Sequence, residues 1–242
     1  MNRQGTDPTN IDTNSTTEWQ GDSQLFSLIQ EELYTAVIGD ICDQFGLRRQ
    51  FLAPNIRSLH LHSEKHRILV GRAMTVLEVR VSSELPSVGP FGKMLEALDN
   101  IREGEVYVCA GSDPSFATIG ELMCTAMLKR GAAGAVTDGA VRDTTGILSL
   151  DFPVFCTGSY GQDQRGRGIV LDYRVPIEIN GVVVNDGDLI VGDVDGVIAI
   201  PSSMERQVIG LSLNKARGEK TVKKAILEGL SASEAFERYG IL

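Results

Sequence analysis

The sequence predicts an α/β domain: layered, with mixed sheets, a parallel βαβαβ core and C-terminal helices. Three observations carry that reading. Short apolar runs alternate with helical patterns between Glu105 and Thr157. Asn-Gly and Asp-Gly turns punctuate residues 175–200, and a long amphipathic stretch fills the C-terminal part. Alternating strands and helices imply parallel pairing with right-handed crossovers. Tight turns between apolar runs imply antiparallel hairpins.

The elements follow in order. Residues 1–22 are polar and turn-rich and are expected to form a disordered tail, with no role for Trp19. Residues 23–242 are expected to form one domain, since no repeat or linker interrupts them. Leu25, Leu28, Ile29, Leu33, Val37, Ile38 and Ile41 recur at helical spacing. They predict one or two helices, capped by Ser23 and stopped at Gly46. Residues 47–67 are mixed and basic and read as loop. Ile68–Val81 reads as a long strand, with Gly71 as a place to bend. Phe91–Asn100 reads as a helix. Strands are expected at Glu105–Ala110, Ala133–Thr137 and Pro153–Thr157. Between them fall helices at Ile119–Arg130 and Val141–Leu150. Hairpin strands are expected at Val175–Ile179, Gly181–Val184, Asp188–Gly192 and Gly196–Ile200. Helices over Ser202–Leu227 and Ser231–Tyr239 complete the pattern.

Composition narrows the function. The 242 residues carry 23 Lys and Arg against 32 Asp and Glu, a net charge of −9. That balance argues against non-specific binding to nucleic acid or anionic membranes. No run approaches the ~18 apolar residues of a membrane span, and the N-terminus lacks the apolar core of a secretory signal. Cys42, Cys109, Cys124 and Cys156 are widely spaced, with no CxxC pair. A cytoplasmic location with reduced thiols is therefore expected.

The stretch with most chemistry is Gly120 to Asp143, GELMCTAMLKRGAAGAVTDGAVRD. It holds two helix starts that follow two consecutive strands. In a parallel sheet both lie at the strands' carboxyl ends, where open α/β sheets bind ligands. Gly120, Glu121, Leu122 and Met123 form a helix start whose unpaired N–H groups suit a carboxylate or phosphate. Arg142 and Asp143 are placed in the first turn of the next helix. An arginine fork grips a carboxylate, and an adjacent Asp can hold a hard divalent cation with retained waters. The pattern alone leaves a structural alternative open. Gly-Glu also caps helices, Asp143 also favours a helix dipole, and Arg–Asp neighbours are common on solvated surfaces.

The run Gly120–Asp143 resembles the 4-hydroxy-4-methyl-2-oxoglutarate aldolase family, which includes the regulator of ribonuclease activity A proteins. The resemblance spans roughly residues 30–242. It takes in Ile38-Gly39-Asp40-Ile41 with Gly46, Gly187-Asp188, Gly192 to Val197 before Pro201, and the tail from Ala225 to Gly240. It implies a swivelling β/β/α fold, a homotrimer or homohexamer, and sites at subunit interfaces. It implies a metal-dependent (class II) pyruvate aldolase with oxaloacetate decarboxylase activity. Gly120 to Met123 would contact substrate and metal-bound water, and Arg142 would bind the pyruvoyl group. Asp143 would ligate Mg²⁺ or Mn²⁺. Glu219 stands where the family often has an acidic residue that reaches a neighbour's metal waters. No His is close in sequence, so water on the cation, paired with Glu121 or Glu219, is the expected base.

The expected substrates are 4-hydroxy-2-oxo di- or tricarboxylic acids, cleaved to pyruvate and a second oxo acid. One departure bears on them. Ser87-Val88-Gly89-Pro90-Phe91-Gly92-Lys93 stands where relatives often have an Asp-Asn pair. That keeps open an aldolase for sugar-derived 2-oxo acids. A rival of another class is a non-catalytic protein that regulates a ribonuclease through its acidic surface.

Other clusters read as structure. His60, His62 and His66 lack a completing ligand. Gly161–Gly168 matches no nucleotide loop, although Arg165 or Arg167 is within reach of a distal carboxylate. Asp193 and Asp195 flank a predicted tight turn. Cys124 sits among small apolar residues as a core thiol.

Overall fold

A computed structural model describes residues 18–60 and 68–240. Two helices come first, α1 (Asp22–Glu32) and α2 (Thr35–Gln44). A two-residue strand, β1 (Arg57–Ser58), precedes the long β2 (Leu69–Arg80). There follow α3 (Met94–Asn100), β3 (Glu105–Ala110), β4 (Ala117–Ile119), α4 (Glu121–Lys129), β5 (Gly134–Thr137) and β6 (Ala140–Val141). Next come α5 (Thr144–Ser149), β7 (Val154–Cys156) and β8 (Gly168–Tyr173). Two hairpins, β9 (Ile177–Ile179) with β10 (Val182–Val184) and β11 (Leu189–Asp193) with β12 (Gly196–Ile200), lead to α6 (Glu205–Leu227) and α7 (Ala232–Tyr239).

The main sheet runs β1-β7-β5-β3-β2-β11-β12, with β8 also on β2. β2, β3, β5 and β7 are parallel, and the remaining pairs are antiparallel. The predicted mixed sheet with a parallel core is therefore present. It is nearly closed, because the Arg57 guanidinium of β1 donates to Asp195 O in the β11–β12 turn.

Burial on both faces explains the strand sequences. All six residues of β3 are buried, as expected where helices cover a parallel sheet. Tyr107 and Cys109 face α3, α4 and α5. Val106, Val108 and Ala110 face the sheet interior with Phe155, Ile190 and Val197. A third cluster joins α1, α2 and α6 to β11 and β12.

Several expectations need correction. The tail boundary at residue 22 is too late. Trp19 is buried against the α1–α2–α6 cluster, and Glu18 pairs with Arg217 at 2.8 Å. Residues 1–17 lie outside the described residues. Helix α1 is preceded by Gly21 at positive φ rather than capped by Ser23. Strand β8 went unread, although it pairs with β2 over five positions. The long strand is disturbed at Leu77/Glu78, where the pairing with β8 shifts, rather than at Gly71. Ile119 belongs to a strand, so α4 begins at Glu121. Among the described residues no helix is long and apolar enough to cross a membrane.

Candidate active site

The site is built where two small strands meet. β4 and β6 pair in parallel, with Ile119 opposite Val141 and Arg142 N–H donating to Ile119 O at 2.9 Å. The pairing sets Gly120, the residue before α4, beside Arg142 and Asp143, the residues before α5. The βαβ reading set both helix starts directly after the parallel strands β3 and β5; instead each follows a strand of this separate two-stranded sheet, β4 before α4 and β6 before α5.

Gly120 is in extended conformation and makes no side-chain cap, so the first N–H groups of α4 keep free donors. A Cβ on Gly120 would lie 2.9 Å from Asp143 Oδ2 and 3.4 Å from Arg142 Nε. Glycine is thus the residue that admits both side chains. The Glu121 carboxylate lies over Gly146 in α5, where any side chain would collide with it. Leu122 projects outward at 84% exposure. Met123 packs onto the α3–α4–α5 core.

Arg142 and Asp143 do not sit in the first turn of α5, as the sequence suggested. Asp143 precedes the helix with φ 58° and ψ 34°, and its side chain makes no cap bond. A left-handed aspartate is tolerated at modest cost. Here it turns the carboxylate away from its own helix and toward Gly120. Arg142 Nε lies 3.4 Å from Asp143 Oδ2, and Nη1 lies 3.2 Å from Asp163 Oδ1. These side chains are about two-fifths exposed, so the charged groups meet solvent and an incoming ligand. Asp163 was not foreseen as a partner. Its only sequence signal was its place in the polar loop 161–168.

Among the described residues no three His, Cys, Asp or Glu side chains converge on a metal. The donor set is one exposed carboxylate, Asp143, with Glu121 on the adjoining helix start. It fits a hard cation that keeps most of its waters, not a closed zinc or calcium cage.

Glu219 is not part of this constellation within one chain. It lies on α6, where Tyr34 Oη donates to it and Lys215 Nζ stands 3.7 Å away. Burial, then the Glu219 bond, pushes the Tyr34 hydroxyl up to about 12.

The remaining candidates resolve as structure. Asp193 accepts from Thr35 N–H and Thr35 Oγ, each at 2.7 Å, and from Asp195 N–H at 2.9 Å. It caps α2 and shapes its own turn. Burial raises the Cys124 thiol to about 12, which makes it inert. His60 Nε2 lies 3.3 Å from Phe152 O, and His62 and His66 lie outside the described residues. Arg165 is held by Glu84 at 2.9 Å, while Arg167 bonds loop carbonyls.

At Ala140, two residues before Arg142, opens a cleft of about 380 Å³, walled in part by Asn55, Ser112, Asp138, Thr157, Ser159 and Tyr160. Its residues come from four separate segments, and of them the sequence flagged only the Asp138-Gly139 turn.

A family model described as RraA-like, Aldolase/RraA, matches residues 35–199. The chain belongs to the Aldolase/RraA family. A Halalkalibacterium halodurans protein provisionally named 4-hydroxy-4-methyl-2-oxoglutarate aldolase is 35% identical over 59% of this chain and 68% of its own length. Protein DlpA of Legionella pneumophila is 33% identical over 59% of this chain, and the match spans 23% of that longer protein. Among solved structures, an uncharacterised Pseudomonas syringae protein has a TM-score of 0.75 and 25% identity, covering 88% of this chain and 97% of that one. Streptomyces coelicolor RraAS2, described as an unusual member of the RNase ES inhibitor RraA family, has a TM-score of 0.72. It is 21% identical over 85% of this chain and 98% of its own, a likeness of fold alone.

Proposed function

We propose that this Aldolase/RraA protein is a divalent-cation-assisted carbon–carbon lyase. It would cleave 4-hydroxy-2-oxo acids to release pyruvate, with oxaloacetate decarboxylation at the same site. The observation that carries the reading is the convergence at Gly120 of three groups: the free N–H donors of α4, the Arg142 guanidinium and the Asp143 carboxylate.

Each group has a task in that chemistry. The Arg142 fork binds the substrate's 2-oxo acid end and faces the oxyanion that develops there. The α4 amides add donors already oriented by the helix, at no reorganisation cost. Asp143 is the residue that would hold Mg²⁺ or Mn²⁺. When bound, that cation supplies Lewis acidity toward the 2-oxo group. Glu121, on the adjoining helix start, would help take the C4 hydroxyl proton. Breaking the C3–C4 bond leaves its electron pair on C3 as pyruvate enolate, and protonation at C3 yields pyruvate. Decarboxylation of oxaloacetate passes through the same enolate.

In the homotrimer or homohexamer that goes with this reading, Glu219 would serve a neighbouring copy's site. The test is pyruvate release, coupled to lactate dehydrogenase, with Mg²⁺, with Mn²⁺ and with EDTA. Oxaloacetate and 4-hydroxy-4-methyl-2-oxoglutarate are the first substrates. Cation-dependent release that disappears in Arg142→Ala and in Asp143→Ala is expected. Undiminished release in both variants would defeat the assignment.

A further inference from the structure

We infer that the cleft at Ala140 holds the distal half of the substrate and selects a neutral, polyhydroxylated chain over one ending in a second carboxylate. The inference rests on the lyase reading for what happens at Arg142, and on the cleft's own chemistry for the choice.

Position comes first. Ala140 and Val141 form the short strand β6, with Val141 fully buried, and Arg142 follows at a bend. Val141 N–H donates to Gly158 O at 2.9 Å and Tyr160 N–H donates to Val141 O at 2.8 Å, so the cleft wall runs alongside the residue before Arg142. Ala140 lines the cleft. Thr144, the residue after Asp143, donates its hydroxyl to Ser159 Oγ at 2.8 Å, which ties the cleft wall to the site. A five- or six-carbon acid gripped at Arg142 therefore runs into the cleft. Its volume of about 380 Å³ suits a small molecule.

The lining then decides the class. Ser112, Ser159 and Tyr160 offer hydroxyls. Asn55 offers an amide and Thr157 a further hydroxyl, and neither of these two side chains has a partner among the described residues. Two carboxylates, Asp113 and Asp138, also face the cleft, while no lysine, arginine or histidine lines it among the described residues. Asp138 is fixed by the N–H groups of Gly111 at 2.9 Å and Ser112 at 3.1 Å. Asp113 is held ionised by Ser115, through its hydroxyl and then its N–H. Arg80 approaches Asp113 at 3.4 Å but is 70% exposed, so solvent screens its charge. Ionised carboxylates accept hydrogen bonds and donate none. They receive hydroxyl groups well and repel a second carboxylate, which is discrimination against the wrong substrate.

The test compares kcat/KM for pyruvate release, by Mg²⁺-loaded protein, from a 3-deoxy-2-oxohexonate and from 4-hydroxy-4-methyl-2-oxoglutarate. A preference of about tenfold or more for the hexonate is expected, since one tenfold step is worth 1.4 kcal/mol. Asn55→Arg should reverse or abolish that preference through KM. Thr157→Val should lower it without added charge. Equal efficiency, or a preference for the dicarboxylate, overturns the inference.

An amide NMR titration reads the cleft without turnover. The hexonate should shift Ser112, Thr157 and Ser159 as well as Arg142, and the dicarboxylate should shift Arg142 more than the cleft. The opposite pattern overturns the inference. Cleft shifts with the hexonate, but no pyruvate from any substrate, would support the cleft assignment and defeat the lyase reading.

Discussion

Gly120 and Asp143 compete for one small volume. The position of a Cβ on Gly120 is 2.9 Å from Asp143 Oδ2, so a carboxylate stands where any other residue would place its side chain. Gly120 has an extended φ of −131°, which alanine also adopts. The demand for glycine is therefore one of space, not of backbone freedom. Gly120→Ala should displace Asp143 and lower pyruvate release about tenfold or more, while costing less than about 1 kcal/mol of stability. Steady-state kinetics beside a urea titration check this. Full activity in Gly120→Ala would show that the position of Asp143 does not matter.

Arg142 is held by two long, exposed ion pairs, 3.4 Å to Asp143 and 3.2 Å to Asp163. Such pairs add little to stability. Arg142→Ala should leave the thermal midpoint within a degree or two and reduce kcat/KM on the order of 10²–10³-fold. Arg142→Lys should recover little, because an ammonium lacks the planar fork. A lysine variant near full activity would mean that charge alone suffices and that the bidentate grip is wrong.

Much of the fold was legible because burial leaves periodic marks. The largely apolar runs of β3 and β5, the Asn180-Gly181 turn and the Ser231 capping box announce themselves. Strand β8 was hidden because the glycines just before it drew its start into the loop. Trp19 was hidden because a lone aromatic in a polar stretch carries no period. At the site, the sequence brought Gly120 and Arg142 to one sheet edge but missed the geometry of Asp143. A left-handed φ at an aspartate is set by the β4–β6 pairing, which is a tertiary event. The cleft was illegible for a related reason: Asn55, Ser112, Thr157 and Tyr160 share no spacing and meet only after folding.

Asp193 and Asp195 look equivalent in sequence and are not. Asp193 joins the start of α2 to the β11–β12 turn by three hydrogen bonds, whereas the Asp195 side chain is exposed. Asp193→Ala strands the fully buried Thr35 N–H and hydroxyl. It should cost about 2 kcal/mol, or roughly 4–8 °C in Tm. Asp195→Ala should change stability by less than about 0.5 kcal/mol. Calorimetry of the pair decides it, and equal losses would refute the capping role.

Glu78 gives the fold a pH dependence of its own. It is 2% exposed on β2, Oε1 has no hydrogen-bond partner, and Gly168 and Phe116 close over it. Burial, reinforced by the charge of Asp138, pushes its carboxyl up to about 8 from an ordinary 4.5. Between those two values the folded chain retains a proton that the unfolded chain releases. Stability must therefore fall as pH rises through that window, by up to about 1.4 kcal/mol per pH unit for this one group. Below the window both states are protonated and above it both are ionised, so the contribution is flat at each end. Glu78→Gln keeps the neutral shape and removes the titration. Urea midpoints at pH 5, 6, 7, 8 and 9 should decline for the natural chain and decline less for the variant, with the gap widening up to pH 8. Parallel curves would mean that Glu78 is ionised in the folded protein and that a cation or water reaches Oε1.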